Sequence, residues 1–365
     1  MFSMREVTDI EVIFIHLGEN LPDHLKLNLI RFKDIFFQIS FIVAVDSNES
    51  IEWLRSQNIN FIDYATLQVN EVDLYELHGL DKIFRDGFWF KTLKRLFVLC
   101  EVAEISSKKI FIHIESDVLL MPNFPWTKFL GLSKLSWPKV DLNQDVASIV
   151  VIPNVQQAIS LRNLLLLELK KNPKHTDMSI LSDISRNYPQ LVETLPTSNK
   201  EFLELTNPKF REENEIECIT SLSDYFEGIF DGLFCGVWLA GTDPKNTYGF
   251  TIIHNNKLIL NSNSLIHFSD VSFHYSKNTG LRLGTRKAFI ELYSLHVHSK
   301  NLALFSYSWE NELIRLTNWP KLLKLYKFDL RLFFNLVMLN YQNKTLKSYL
   351  LNIKLFKVIR KLIRI

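Results

Sequence analysis

Cysteine, glycine and long apolar runs are all scarce in this 365-residue chain. The three cysteines, Cys100, Cys218 and Cys235, are odd in number and widely spaced. They form neither a disulfide framework nor a zinc pattern, and they suit a reducing compartment. No run of 18 uncharged apolar residues occurs, so no transmembrane helix is expected. The opening Met1-Phe2-Ser3-Met4-Arg5-Glu6 lacks the charged-then-apolar layout of a signal peptide, so a cytoplasmic location is expected. Net charge is also low, at +2, but it is unevenly spread. Residues 321–365 hold eleven Lys or Arg against the single acid Asp329, a net +10 that leaves residues 1–320 at about −8. An acidic body without a basic stripe argues against nucleic acid as a partner.

What is present is a succession of short apolar runs. Residues 11–18 read as a buried strand ending at Gly18, 41–46 as a second, and Phe61-Ile62 as a third. A helical stretch follows Pro22 and a short helix covers 50–57. Residues 88–104 have helical spacing, with Phe90, Leu93, Phe97 and Cys100 on one face, and lead into a strand from Lys109 to Asp117. Another strand spans 148–152 and a helix 155–171. Strands alternating with helices predict an α/β fold with a mostly parallel central sheet flanked by helices. Residues 197–227 are polar and acidic and read as an insertion or loop. Residues 251–260 and 264–275 read as a hairpin, 291–298 as a strand, and 319–365 as a basic helical extension to a catalytic domain over 1–318.

The strongest chemical signal is Ile112-His113-Ile114-Glu115-Ser116-Asp117-Val118. A buried strand here runs into two carboxylates one residue apart, and side chains two apart in extended chain point the same way. Glu115 and Asp117 therefore face one point beyond the strand's carboxyl end, where open α/β sheets place ligands. Two carboxylates there repel unless a cation lies between them, and hard oxygen ligands suit Mg²⁺ or Mn²⁺. Solvated turn residues, or caps of a following helix, fit the same string. A second signal is Leu295-His296-Val297-His298-Ser299-Lys300. Two histidines two apart on a strand share a face and can ligate a metal, and a nearby Lys can set a point charge on phosphate. The alternative is one His in the core, the other exposed, and Lys300 solvated.

Together these strings resemble the GT-A glycosyltransferases, in which a strand ending in Asp-x-Asp holds a divalent metal and the diphosphate of a nucleotide sugar. The resemblance covers roughly residues 10–305, with motifs at 112–120, 229–244 and 295–301. It departs from the pattern at Glu115, which makes Asp117 the safer ligand and puts Glu115 behind it or on the ribose. It implies a Rossmann-like sheet with a nucleotide-binding part near 10–125 and an acceptor part near 126–318. It implies His298 as the late metal ligand, with His296 as alternative, and Lys300 on the diphosphate. It also implies Mn²⁺ or Mg²⁺ as cofactor and a nucleotide-diphosphate sugar as donor. The strand ends carrying His16 and Asp46 then hold base and ribose. Lys91 and Arg95, four apart on one helical face, then contact nucleotide or phosphates, although a solvated basic face fits them as well.

Two segments offer the reaction's carboxylate. Asp177 opens a helix, where it stabilises the dipole or faces the sugar. Asp231 lies in the Gly- and aromatic-rich stretch 229–244, where Trp238 offers a stacking surface for a sugar. Competing readings are a nucleotidyltransferase, a metal-dependent hydrolase and a non-catalytic sugar-binding protein. The first lacks its Gly-rich phosphate loop, since His16-Leu17-Gly18-Glu19-Asn20 follows the first strand. Residues 344–365 read either as a basic amphipathic helix on an anionic membrane surface or as a helix packed on the body. The resemblance implies a glycan or glycolipid acceptor at the inner membrane face, as in bacterial surface polysaccharide or lipopolysaccharide synthesis.

Overall fold

A computed structural model describes residues 7–300, apart from 70, 82, 142, 209–211, 241–250, 255–256, 261–264, 267–270, 278, 286–287 and 299. The expected basic extension at 319–365, including the tail from 344, lies outside the described residues, as do Ser299, the turn at Asp243-Pro244 and the side chain of Trp238.

The strands are β1 Ile10–His16, β2 Ser40–Val45, β3 Phe61–Asp63, β4 Ile110–Ile114, β5 Val118–Leu120, β6 Leu135–Trp137, β7 Lys139–Asp141, β8 Gln144–Asp145, β9 Ile149–Ile152, β10 Val192–Thr194, β11 Gly228–Phe230, β12 Thr251–His254, β13 Lys257–Leu260, β14 Ser272–Ser276, β15 Gly280–Gly284 and β16 Phe289–His296. The helices are α1 Asp23–Ile35, α2 Asn48–Ser56, α3 Glu71–Leu77, α4 Phe88–Ile105, α5 Trp126–Phe129, α6 Val155–Lys171, α7 Asp177–Asn187, α8 Glu213–Thr220, α9 Ser223–Phe226 and α10 Phe234–Ala240.

A seven-stranded sheet has the order β10-β6-β9-β4-β1-β2-β3. Only β9 runs against the others, so the sheet is mostly parallel, as the strand–helix alternation predicts. β1 is apolar at nearly every position because both its faces are covered. Its alternate side chains divide between them. Val12 and Phe14 pack with Leu25, Leu29 and Phe32 of α1. Ile13 and Ile15 pack with Leu93 and Phe97 of α4, and that core continues through α6 and α7.

A second sheet, β11-β16-β15-β14, lies beside the first, and β5 joins it through β16. β4 and β5 are separated only by residues 115–117, so the acid pair stands where the chain passes from one sheet to the other. The expected single hairpin over 251–275 is instead two hairpins, β12–β13 and β14–β15. The expected loop at 197–227 contains a 3₁₀ turn, α8 and α9. Its acids masked the apolar positions Ile219 and Phe226, both fully buried. The three cysteines are free thiols. Among the described residues no helix is long and apolar enough to cross a membrane.

Candidate active site

The acid pair is held from beneath by α1. His24, Asn28 and Arg31, each about one helical turn from the next, form a polar stripe beside the apolar face of Leu25, Leu29 and Phe32. The Asn28 amide donates to the carbonyls of Ser116 (3.3 Å) and Val118 (3.0 Å). Arg31 donates to the Leu120 carbonyl at 2.5 Å. His24 Nε2 meets the Ser116 hydroxyl at 3.3 Å. These bonds satisfy the carbonyls of Ser116, Val118 and Leu120. Burial lowers the His24 pKa to about 4, so the ring stays neutral at neutral pH. The sequence reading passed over this stripe, whose signal was three polar residues at helical spacing next to an apolar face.

β16 delivers the third group. At its end His296 donates from Nδ1 to the Gly232 carbonyl (2.8 Å), which turns Nε2 toward the acids. Nε2 lies 3.5 Å from Asp117 Oδ1 and 3.6 Å from Glu115 Oε2. Donor atoms of Glu115, Asp117 and His296 all fall within 4.8 Å of one another. Burial opposes charge on His296, but Asp117 and Glu115 outweigh it and carry its pKa up to about 9. Burial likewise works against the Asp117 carboxylate, and His296 and Lys300 hold it well below the usual range. Glu115 is held low in the same way, by Arg95 and then His296. A divalent ion competes with the His296 proton for one lone pair between two carboxylates, which fits a metal such as Mn²⁺ or Mg²⁺.

His298 lies just past this strand and close enough to Asp117 to help hold its carboxylate low. β16 stops at His296, and the chain then turns, with His298 N–H donating to the His296 carbonyl (2.9 Å) and Lys300 N–H to that of Val297 (2.9 Å). Lys300 has a left-handed φ of 50°. Val297 N–H still bonds the Asp117 carbonyl (2.8 Å), and the His298 ring sits 6.0 Å from that of His296, centroid to centroid. Of the two candidate histidines, His296 is the one grouped with Glu115 and Asp117. Lys300 Nζ lies 3.9 Å from Asp117 Oδ2, at the rim of the cluster. Replacing His296 with Gln is expected to weaken Mn²⁺ binding by calorimetry at least tenfold, while His298→Gln changes it by less than about threefold. The opposite ranking would return the ligand role to His298.

Arg95 on α4 links the acid pair to the second candidate carboxylate. Its guanidinium bonds Glu115 and reaches Asp177 Oδ2 at 3.2 Å. Asp177 is the first residue of α7, behind a capping box of Thr176 and Ser179. Burial raises its pKa against the pull of Arg95. Lys91, one turn before Arg95, is half-buried and opposes protonation of His16, whose pKa burial already lowers. Asp46 is exposed and accepts a bond from the Gly18 amide at 2.7 Å, joining the ends of β1 and β2. His16 thus ends β1, and Asp46 and the acid pair follow the carboxyl ends of its neighbours β2 and β4.

Asp231 is placed differently. Its carboxylate accepts backbone bonds from Cys235 (3.0 Å), Gly236 (2.7 Å) and His296 (3.0 Å). It therefore ties the start of α10 to the end of β16 and sets the depth of His296. A Cβ at Gly236 would stand 1.8 Å from the His296 carbonyl oxygen, so only glycine permits this approach. Gly236→Ala is expected to displace β16 and lose Mn²⁺ affinity along with about 1–3 kcal/mol of stability in urea unfolding. Unchanged Mn²⁺ binding in a folded Gly236→Ala protein would contradict this placement.

No family model matches the sequence, and no curated protein matches it. Solved structures give low-scoring likenesses. An active-site mutant of LgtC is similar over 57% of this chain and 82% of its own, at 14% identity and TM-score 0.39. Galactosyltransferase LgtC with donor and acceptor sugar analogs is similar over 51% of this chain and 73% of its own, at 13% identity and TM-score 0.35. The apo form of glycosyltransferase GlyE from Streptococcus pneumoniae TIGR4 is similar over 52% and 45%, at 12% identity and TM-score 0.35.

Proposed function

We propose that this chain is a divalent-metal-dependent glycosyltransferase of the GT-A type, moving a sugar from a nucleotide-diphosphate donor to a hydroxyl acceptor. The observation that carries it is the meeting of Glu115, Asp117 and His296 from segments almost 180 residues apart, at the carboxyl edge of a mostly parallel sheet. Those three residues would hold Mn²⁺ or Mg²⁺. When bound, the ion supplies electrostatic stabilisation of charge developing on the leaving nucleoside diphosphate.

The remaining chemistry belongs to the chain. Lys300, at the rim and 38% exposed, sets its positive charge on the diphosphate. His16 and Asp46 border the base and ribose, and Lys91 adds positive charge on the same side. Arg95 bridges Glu115 and Asp177 and holds the Glu115 carboxylate ionised. The acceptor hydroxyl attacks the anomeric carbon, its bond to the diphosphate oxygen breaks, and the hydroxyl proton must leave. Asp177 suits that side of the reaction, because the Asp231 carboxylate is committed to three amides. A glycan or glycolipid acceptor fits this reading, as in surface polysaccharide or lipopolysaccharide synthesis.

The test is a thermal-shift screen of UDP- and GDP-sugars with and without Mn²⁺. A ligand of the native state raises the melting temperature, and here the shift should require both sugar nucleotide and metal. No shift with any nucleotide sugar in Mn²⁺, or shifts indifferent to metal, would reject the transferase reading.

A further inference from the structure

Away from the acid pair, the junction of α6 and α7 gathers a second set of ligating groups: Glu168 near the end of α6, His175 in the connection, and Asp183 on the second turn of α7. One donor atom from each lies within 4.8 Å of the other two. Glu168 is 2% exposed and His175 3%, so these are not solvated surface groups. Buried carboxylate and imidazole carry a desolvation cost unless they are satisfied.

His175 identifies what is missing. Its Nδ1 meets the Ser179 hydroxyl at 2.9 Å. Ser179 Oγ in turn receives the Thr176 amide (2.9 Å) and lies 3.3 Å from the Thr176 carbonyl, which takes its proton. The Thr176 hydroxyl also bonds Ser179 Oγ at 3.3 Å, so Nδ1 is fully engaged with the helix-capping group. Nε2 is buried and has no hydrogen-bond partner. It faces Asp183 Oδ2 at 3.4 Å. A buried nitrogen with no hydrogen-bond partner, grouped with two carboxylate oxygens, offers a cation three ligand atoms. The neighbouring cations do not fill that position. Lys171 bonds Glu168 Oε1 at 2.7 Å and is half-exposed, and Arg186 bonds Asp183 Oδ1 from solvent at 2.8 Å. Tyr188 donates to the same Glu168 oxygen at 3.1 Å.

We infer that Glu168, His175 and Asp183 form a second divalent-metal site that takes zinc. One imidazole with two carboxylates suits Zn²⁺ better than Mg²⁺ or Ca²⁺, which prefer all-oxygen sets. The site joins α6 to α7 across the connection that precedes Asp177. The same connection bonds Gly79 through the Pro173 carbonyl (2.8 Å), so a metal here braces the entry to α7. This inference does not depend on the transferase reading.

Its test uses the full chain carrying Asp117→Asn and His296→Gln, which removes the first cluster. Equilibrium dialysis against Zn²⁺ should leave one bound ion per chain. Co²⁺ should give visible d–d bands without the near-ultraviolet band of a thiolate ligand. Adding His175→Gln or Asp183→Asn should weaken Zn²⁺ at least tenfold. Asp183 is partly exposed and Asn is isosteric, so the second variant stands if the first does not fold. No zinc in the parent variant, unchanged affinity on Asp183→Asn, or a thiolate band pointing to cysteine would each overturn the site.

Discussion

Asp117→Asn should lower metal-dependent release of nucleoside diphosphate from a nucleotide sugar by about 10²–10³-fold, with the fold intact. Asp117 sits between His296 and Lys300 and offers the acid pair's most strongly stabilised carboxylate. An amide of the same shape keeps the packing of a residue only 6% exposed but removes the charge that would hold a divalent ion. The proton on His296 also loses its strongest support, so the imidazole should fall back from about 9 toward its ordinary range. Initial rates at saturating Mn²⁺, beside a Ser116→Ala control, measure the effect. A rate within threefold of wild type would mean that the ion, or the chemistry, lies elsewhere.

Arg95→Met should produce the largest loss of stability, about 3–5 kcal/mol by denaturant unfolding, because it strands two buried carboxylates. Glu115, Arg95 and Asp177 side chains are 10–14% exposed, so solvent screens little of this. The sign with pH follows from the direction of each shift. In wild type, Glu115 is held below its ordinary 4.5, and the stability this gives is present above that value and lost as pH falls through the lowered pKa. Without Arg95 the buried carboxylates move upward, and protonating them then favours the folded state. The gap between wild type and Arg95→Met should therefore narrow as pH falls from 7 toward and below 4.5. A gap that widens on acidification would show that Arg95 stabilises by packing alone. Arg95→Lys should recover only part of the loss, since one ammonium cannot span both acids with a planar fork.

Much of this was readable along the chain. Continuous apolar runs marked β1, β2, β4 and β9, because strands covered on both faces leave no polar alternation. The acid pair was readable because charged residues directly after such a run have few structural reasons to be there. The late histidine could be narrowed only to His296 or His298. The histidines at 296 and 298 look alike in sequence, and what separates them is where strand pairing ends. Asp231 was singled out by its glycine-rich surroundings, yet those glycines serve close backbone approach at Gly232 and Gly236. The supports at His24, Asn28 and Arg31 were not recognised, since their partners are carbonyls about 90 residues away. Such long-range satisfaction leaves little local trace.

The pairing of β16 with β5 sets Val118 opposite His296 and Leu119 opposite Leu295. A slip of one residue in that ladder would turn the imidazole to the far face and put Leu295 or Val297 against the acids. Uptake at the proposed ion site would thus work as a gauge of strand alignment: a chain misfolded by one step keeps its helices but loses the imidazole from the cluster. Refolding followed by metal titration can count correctly threaded molecules where circular dichroism would count them all.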